Sequence, residues 1–77
     1  MKINVLTFGQ VTDIINQSSF EVGDVTDVNG LKQMLEAKYE QLKEIKYAIA
    51  VDKKIVSGNA PLQDKSVVAL LPPFSGG

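Results

Sequence analysis

The chain has 77 residues, a length for one domain, with 44% hydrophobic and 22% charged residues, the balance of a folded domain rather than a disordered one. It contains no Cys and no His, which leaves no disulfide scaffold, thiol nucleophile, imidazole base or usual zinc ligand to consider. The net charge is -1 and the eight basic residues are all Lys, so bidentate recognition of phosphate or guanine has no candidate and nucleic acid is not an expected partner.

Residues 2 to 8 read as a strand, with Ile3, Val5 and Thr7 on one face and Asn4, Leu6 and Phe8 on the other. Gly9 ends it. The spacing of Val11, Ile14 and Ile15 predicts a short helix or turn over residues 10 to 16, and Phe20-Glu21-Val22 a second strand. Asp27, with Thr26 as the alternative, reads as the N-cap of a long helix. Apolar residues then recur at Val28, Leu31, Leu35, Tyr39 and Leu42, a single helical stripe that predicts a helix over residues 28 to 43. Gly30 weakens its first turn by about 1 kcal/mol relative to Ala. Residues 47 to 51 read as a third strand, Lys53-Lys54 as a turn, and Ile55-Val56 as a short return strand. A loop and compact turn lead through Pro61 and Lys65 to a last strand over residues 66 to 71, which Pro72-Pro73 must end because proline cannot donate to a ladder. No run approaches the ~18 apolar residues of a membrane span, and the alternating N-terminal segment lacks a signal core. The expectation is a cytoplasmic protein with no membrane partner.

One long helix with no second helix to cover its stripe needs a sheet. The order of elements is that of an α+β domain of the β-grasp, or ubiquitin-like, type. It predicts a mixed sheet packed on one long helix over residues 1–71, followed by an extended tail over residues 72–77. The first and last strands are expected side by side in the middle of the sheet, the tail leaving from its edge. Ile3, Val5, Leu31, Leu35, Ile49, Val51, Val68 and Leu70 are the predicted core.

The tail is Pro72-Pro73-Phe74-Ser75-Gly76-Gly77. Six extended residues reach roughly 20 Å, the prolines stiffen the base of the arm, and two residues without Cβ make its tip thin. A thin tip bearing a carboxylate fits a narrow site in another protein. The carboxylate of Gly77 is ionised at neutral pH and a poor electrophile. Joined to AMP it becomes a reactive acyl adenylate, from which a sulfur nucleophile displaces AMP and leaves a thiocarboxylate. Such a carrier needs no Cys or His of its own.

The residues resemble those of a known family. Phe8-Gly9-Gln10-Val11 is similar to a Phe-Ala-Gln-Val segment, Asp27-Val28 with Leu31 to a helix start, and Pro61-Leu62-Gln63-Asp64 to a Pro-Leu-x-Asp turn. Leu71-Pro72-Pro73-Phe74-Ser75-Gly76-Gly77 is similar to an apolar-Pro-Pro-x-Ser/Thr-Gly-Gly terminus. Together they resemble the small subunits of molybdopterin synthase, the sulfur carriers of molybdenum cofactor biosynthesis. Departures are Thr12, where the family often has Arg, Leu71, where it commonly has an aromatic, and Asp52, where Asn is common.

The resemblance implies a carrier that is not an enzyme on its own and binds no cofactor or metal. It implies an adenylating activating enzyme that uses ATP to charge Gly77, with a sulfur-donor enzyme acting indirectly. The tail residues Pro72, Pro73, Phe74, Ser75 and Gly76 are implied to enter the large synthase subunit, where sulfur passes to cyclic pyranopterin monophosphate in a heterotetramer that supplies the catalytic groups. The thiazole-forming carrier of thiamine biosynthesis and a ubiquitin-like protein modifier are the alternatives. Phe8 and Leu71 lie on the strand face opposite the predicted core, and no element of the chain is long enough to cover it. With Ile55 they are expected to form an exposed apolar patch for a protein partner.

Overall fold

The computed structural model describes residues 1 to 72. Strand β1 (Lys2–Thr7) leads into helix α1 (Gln10–Ile15) and strand β2 (Ser19–Gly23). Helix α2 (Val28–Lys38) follows, then a 3-10 segment (Glu40–Glu44), β3 (Ala48–Val51), β4 (Lys54–Val56) and β5 (Val67–Leu71). The five strands form one mixed sheet in the order β2-β1-β5-β3-β4. β1 and β5 run parallel side by side, and the other pairs are antiparallel. This is the expected β-grasp. One expectation is corrected: β5 is the central strand, so residue 72 leaves from the end of the middle of the sheet and not from its edge.

Alternation in β1 sends Ile3, Val5 and Thr7 to the buried face. In β5, Val68 and Leu70 do the same, and the parallel register sets Val5 beside Val68 and Thr7 beside Leu70. Val28, Leu31 and Leu35 of α2 and Leu42 of the 3-10 segment close over them, with Val11, Ile15, Val25, Ile49 and Leu62 completing the core. Val51 departs from expectation. Its register opposite Val68 puts it on the core face, yet it is only half-buried, because it stands at the far end of β3 against the turn into β4. Thr7 is a polar residue in the core. It stays there at 3% exposure because its hydroxyl donates to the Gln17 carbonyl at 2.5 Å and pairs with the Thr12 hydroxyl at 2.8 Å, and a buried hydroxyl so satisfied escapes the desolvation penalty.

Asp27 is the N-cap of α2, its carboxylate accepting the Gly30 N–H at 2.8 Å. Gly30 has a reason to lack a side chain: a Cβ there would stand 2.8 Å from the same carboxylate oxygen. Helix α2 is shorter than the expected 28 to 43. It stops at Lys38, Tyr39 leaves the helical region at φ -123, ψ 86, and a 3-10 turn takes over. Leu42 is fully buried all the same, so the apolar stripe reads identically whether the helix continues or is rebuilt as a tighter turn.

Candidate functional site: an apolar groove at the root of the tail

Among the described residues, the sheet face away from α2 carries no helix. Its composition follows from strand register. Leu6 pairs with Ala69, Ala69 with Ala50, and Ala50 with Ile55. One row across four strands thus has two small residues between two large ones. A row built this way is concave, low over the alanines and raised at each side. Leu71, the last residue of β5, and Phe8, just beyond the end of β1, raise one end. The resulting groove has a volume of about 510 Å³ and is lined by Leu6, Phe8, Ala50, Ile55, Val67, Ala69 and Leu71, with Asp52 and Lys53 as its polar rim.

The three residues expected on this face meet there. Phe8 is 46% exposed and Ile55 63% exposed, and Leu71 is half-buried. Phe8 does not fold under α1, whose buried residues are Val11 and Ile15. These large apolar side chains lie open in one contiguous depression. The sequence reading missed the floor, Ala50, Val67 and Ala69. The alternation that placed Leu71 also places Val67 and Ala69 on its face, so that signal was present. Alternation likewise places Ala50 opposite Ile49 and Val51, but nothing local tells that it stands beside Ala69.

The rim is fixed by a two-residue hairpin. Asp52 and Lys53 both have positive φ, 49 and 74, the geometry whose twist matches the flanking strands. Asp52 also grips β5, its N–H donating to the Val67 carbonyl at 2.8 Å and its carboxylate accepting the Val67 N–H at 2.9 Å. Only an acceptor is required of that side chain, so Asp serves here as the Asn common at this position would.

Pro72 follows Leu71 at the open end of the groove and is half-buried. Pro73, Phe74, Ser75, Gly76 and Gly77, expected to carry the chemistry, lie outside the described residues. Among the described residues, no cluster of carboxylates is placed to hold a metal ion, and no helix is long and apolar enough to cross a membrane. Away from the groove, one titratable group is clearly perturbed. Burial, then the hydrogen bond to Glu36 and its charge, raises the Tyr47 phenol above its ordinary value. Its O–H donates to Glu36 Oε2 at 2.8 Å, a contact that ties the residue just before β3 to α2.

A sequence model of the ThiS family matches residues 5–77. The chain belongs to the ThiS family. It is 35% identical, over 80 aligned positions covering 97% of this chain and 99% of the other, to the molybdopterin synthase sulfur carrier subunit of Escherichia coli K12. Among solved structures, subunit 1 of the molybdopterin converting factor of Pyrococcus furiosus superimposes with a TM-score of 0.86 at 24% identity, over 95% of this chain and 98% of that one. A chain from the complex of subunits 1 and 2 of the Helicobacter pylori molybdopterin-converting factor matches with a TM-score of 0.74 at 30% identity, over the full length of both. The likeness to small subunits of molybdopterin synthase read from the residues thus recurs across the whole chain, and the domain has the β-grasp form.

Proposed function

We propose that this ThiS family member is the sulfur carrier subunit of a molybdopterin synthase and that Gly77 is the residue charged with sulfur. The observation that carries the reading is the apolar groove of Leu6, Phe8, Ala50, Ile55, Val67, Ala69 and Leu71 at the end of the strand from which the tail departs. A domain that delivers its own C-terminus must be held at the root of that tail. An open groove there supplies the hold without obstructing the arm. Two relatives support the partner: a sulfur carrier subunit at 35% identity and a chain at 30% identity from a two-subunit complex.

In this reading the groove serves two partners in turn. On an adenylating enzyme, the Gly77 carboxylate attacks the α-phosphorus of ATP and pyrophosphate leaves. Sulfide, or a persulfide followed by attack of a thiol on the acyl disulfide it forms, then displaces AMP from the acyl carbon, and the C-terminus becomes a thiocarboxylate. On the large synthase subunit the thiocarboxylate sulfur attacks a side-chain carbon of cyclic pyranopterin monophosphate and displaces an oxygen substituent, and water then cleaves the acyl C–S bond of the resulting thioester, leaving the sulfur on the pterin and returning Gly77 to the carboxylate. Two such deliveries supply the two sulfurs of the dithiolene. The carrier contributes reach and docking, and the catalytic groups belong to its partners.

Deleting Gly77 tests this directly. The truncated chain should release no pyrophosphate with ATP and activating enzyme and should accept no sulfur, while its thermal unfolding matches that of the full chain. Normal adenylation of the truncated chain would overturn the assignment of Gly77.

A further inference from the structure

The turn that joins β1 to α1 passes beneath the root of the tail. Gly9 sits in it at φ 55, ψ -129, a conformation open to glycine and strained for residues with a Cβ. The position is also crowded from outside. A Cβ built on Gly9 would stand 2.9 Å from Pro72 Cγ, 3.4 Å from its Cβ and 3.8 Å from its Cδ. The Pro72 ring therefore rests where a side chain at position 9 would be. The seat itself is held firmly. The Gly9 carbonyl accepts from Asp13 N at 3.3 Å, the Phe8 carbonyl accepts from Val11 N at 3.1 Å, and Val11 is fully buried. Parallel pairing of β1 with β5, Thr7 beside Leu70, brings the two chain segments out at the same end of the sheet.

From this geometry we infer that Gly9 is a positioning residue for sulfur delivery: its bare Cα is a seat for the Pro72 ring and fixes the direction in which the tail leaves the domain. The inference rests on the reading of the chain as a tail-borne sulfur carrier and assigns a residue within it. Proline has a fixed φ, so seating its ring sets the orientation of Pro72 itself, the root from which the tail starts. The seat adjoins Phe8 and Leu71 of the groove, so the surface held by the partner and the direction of the arm share one rigid turn.

A double-mutant cycle on the full chain tests the seat. Gly9→Ala, Pro72→Ala and the pair are charged to the thiocarboxylate and assayed for single-turnover sulfur transfer and for affinity with the large subunit. Pro72→Ala removes the Cγ and Cδ that a side chain at position 9 would strike but leaves the backbone strain at position 9 unchanged, so it separates the two effects. A misdirected reacting group can lose up to about 100-fold in rate. We expect each single variant to slow saturated transfer at least about tenfold with affinity changed less than about twofold, as loss of positioning rather than of binding requires. The pair should be no slower than Pro72→Ala alone. Equal slowing by Gly9→Ala in both backgrounds, or wild-type transfer by either single variant, overturns the inference. A cross-peak between the Gly9 Hα and Pro72 Hγ protons in the NMR spectrum of the wild-type chain is the second measurement. It needs no transfer assay and no variant that folds, and its absence overturns the seat. Wild-type protein that shows the cross-peak but never acquires sulfur would instead refute the carrier reading and leave the seat standing.

Discussion

Truncating Ile55 separates docking from folding more cleanly than any other change in the groove. Ile55 lies on β4, the edge strand, and is 63% exposed. Full burial of an isoleucine side chain is worth about 1.5–3 kcal/mol. The part still open, roughly two-thirds of that, amounts to about 1–2 kcal/mol when a partner covers it. Ile55→Ala should therefore weaken binding to the large synthase subunit by about 5- to 30-fold. The third already buried in the free domain limits the loss of folding stability to less than about 1 kcal/mol. Phe8 divides differently. At 46% exposure about half of its contact surface already serves the fold, so Phe8→Ala should lower both affinity and melting temperature. Calorimetric titration with the large subunit and a thermal melt on the same samples read both quantities. Ile55→Ala binding within twofold of wild type would refute the groove as the docking surface. A melting temperature lowered more by Ile55→Ala than by Phe8→Ala would refute the partition.

Two further changes test the fold and its electrostatics. Leu35 is 1% exposed in the core, so Leu35→Ala should cost about 2–5 kcal/mol, read in a denaturant titration; a loss below about 1 kcal/mol would place the α2 stripe elsewhere. The Tyr47 phenol, raised by burial and Glu36, favours its protonated form in the folded state. Its contribution is complete below the unfolded value of about 10 and is lost as pH rises above it. Tyr47→Phe should remove about 1 kcal/mol at neutral pH and flatten the decline of stability above pH ~10; an unchanged alkaline decline would show that the Tyr47–Glu36 bond is not its source.

The legible parts of the fold were those where one physical signal had one structural meaning. Alternation in β1 and β5 fixed two faces, and with them the opposite placements of Ile3 and Phe8. Asp27 ahead of an apolar stripe marked a helix start, and its carboxylate caps Gly30 N. Signals with two meanings gave less. The stripe through Leu42 satisfied both a long helix and a helix followed by a 3-10 turn. The face of Val51 was correct, but its burial depends on what lies over the end of β3, and alternation carries no information about that. The groove's floor was hidden because Ala50 and Ala69 matter by being small, and their adjacency exists only in the register of β3 with β5. The Gly9–Pro72 contact joins opposite ends of the chain, and no local pattern in either segment contains it.

The central claim is that Gly77 carries sulfur, and the mass of the intact protein tests it most directly. The chain is produced in a host that makes molybdopterin, or incubated with ATP, activating enzyme and a sulfur source, and then weighed whole. Replacing one terminal oxygen by sulfur should add about 16 Da, confined on fragmentation to Gly77 and absent from the Gly77 deletion. An unshifted mass under conditions that charge the Escherichia coli relative, or an increment located on any other residue, would contradict the account.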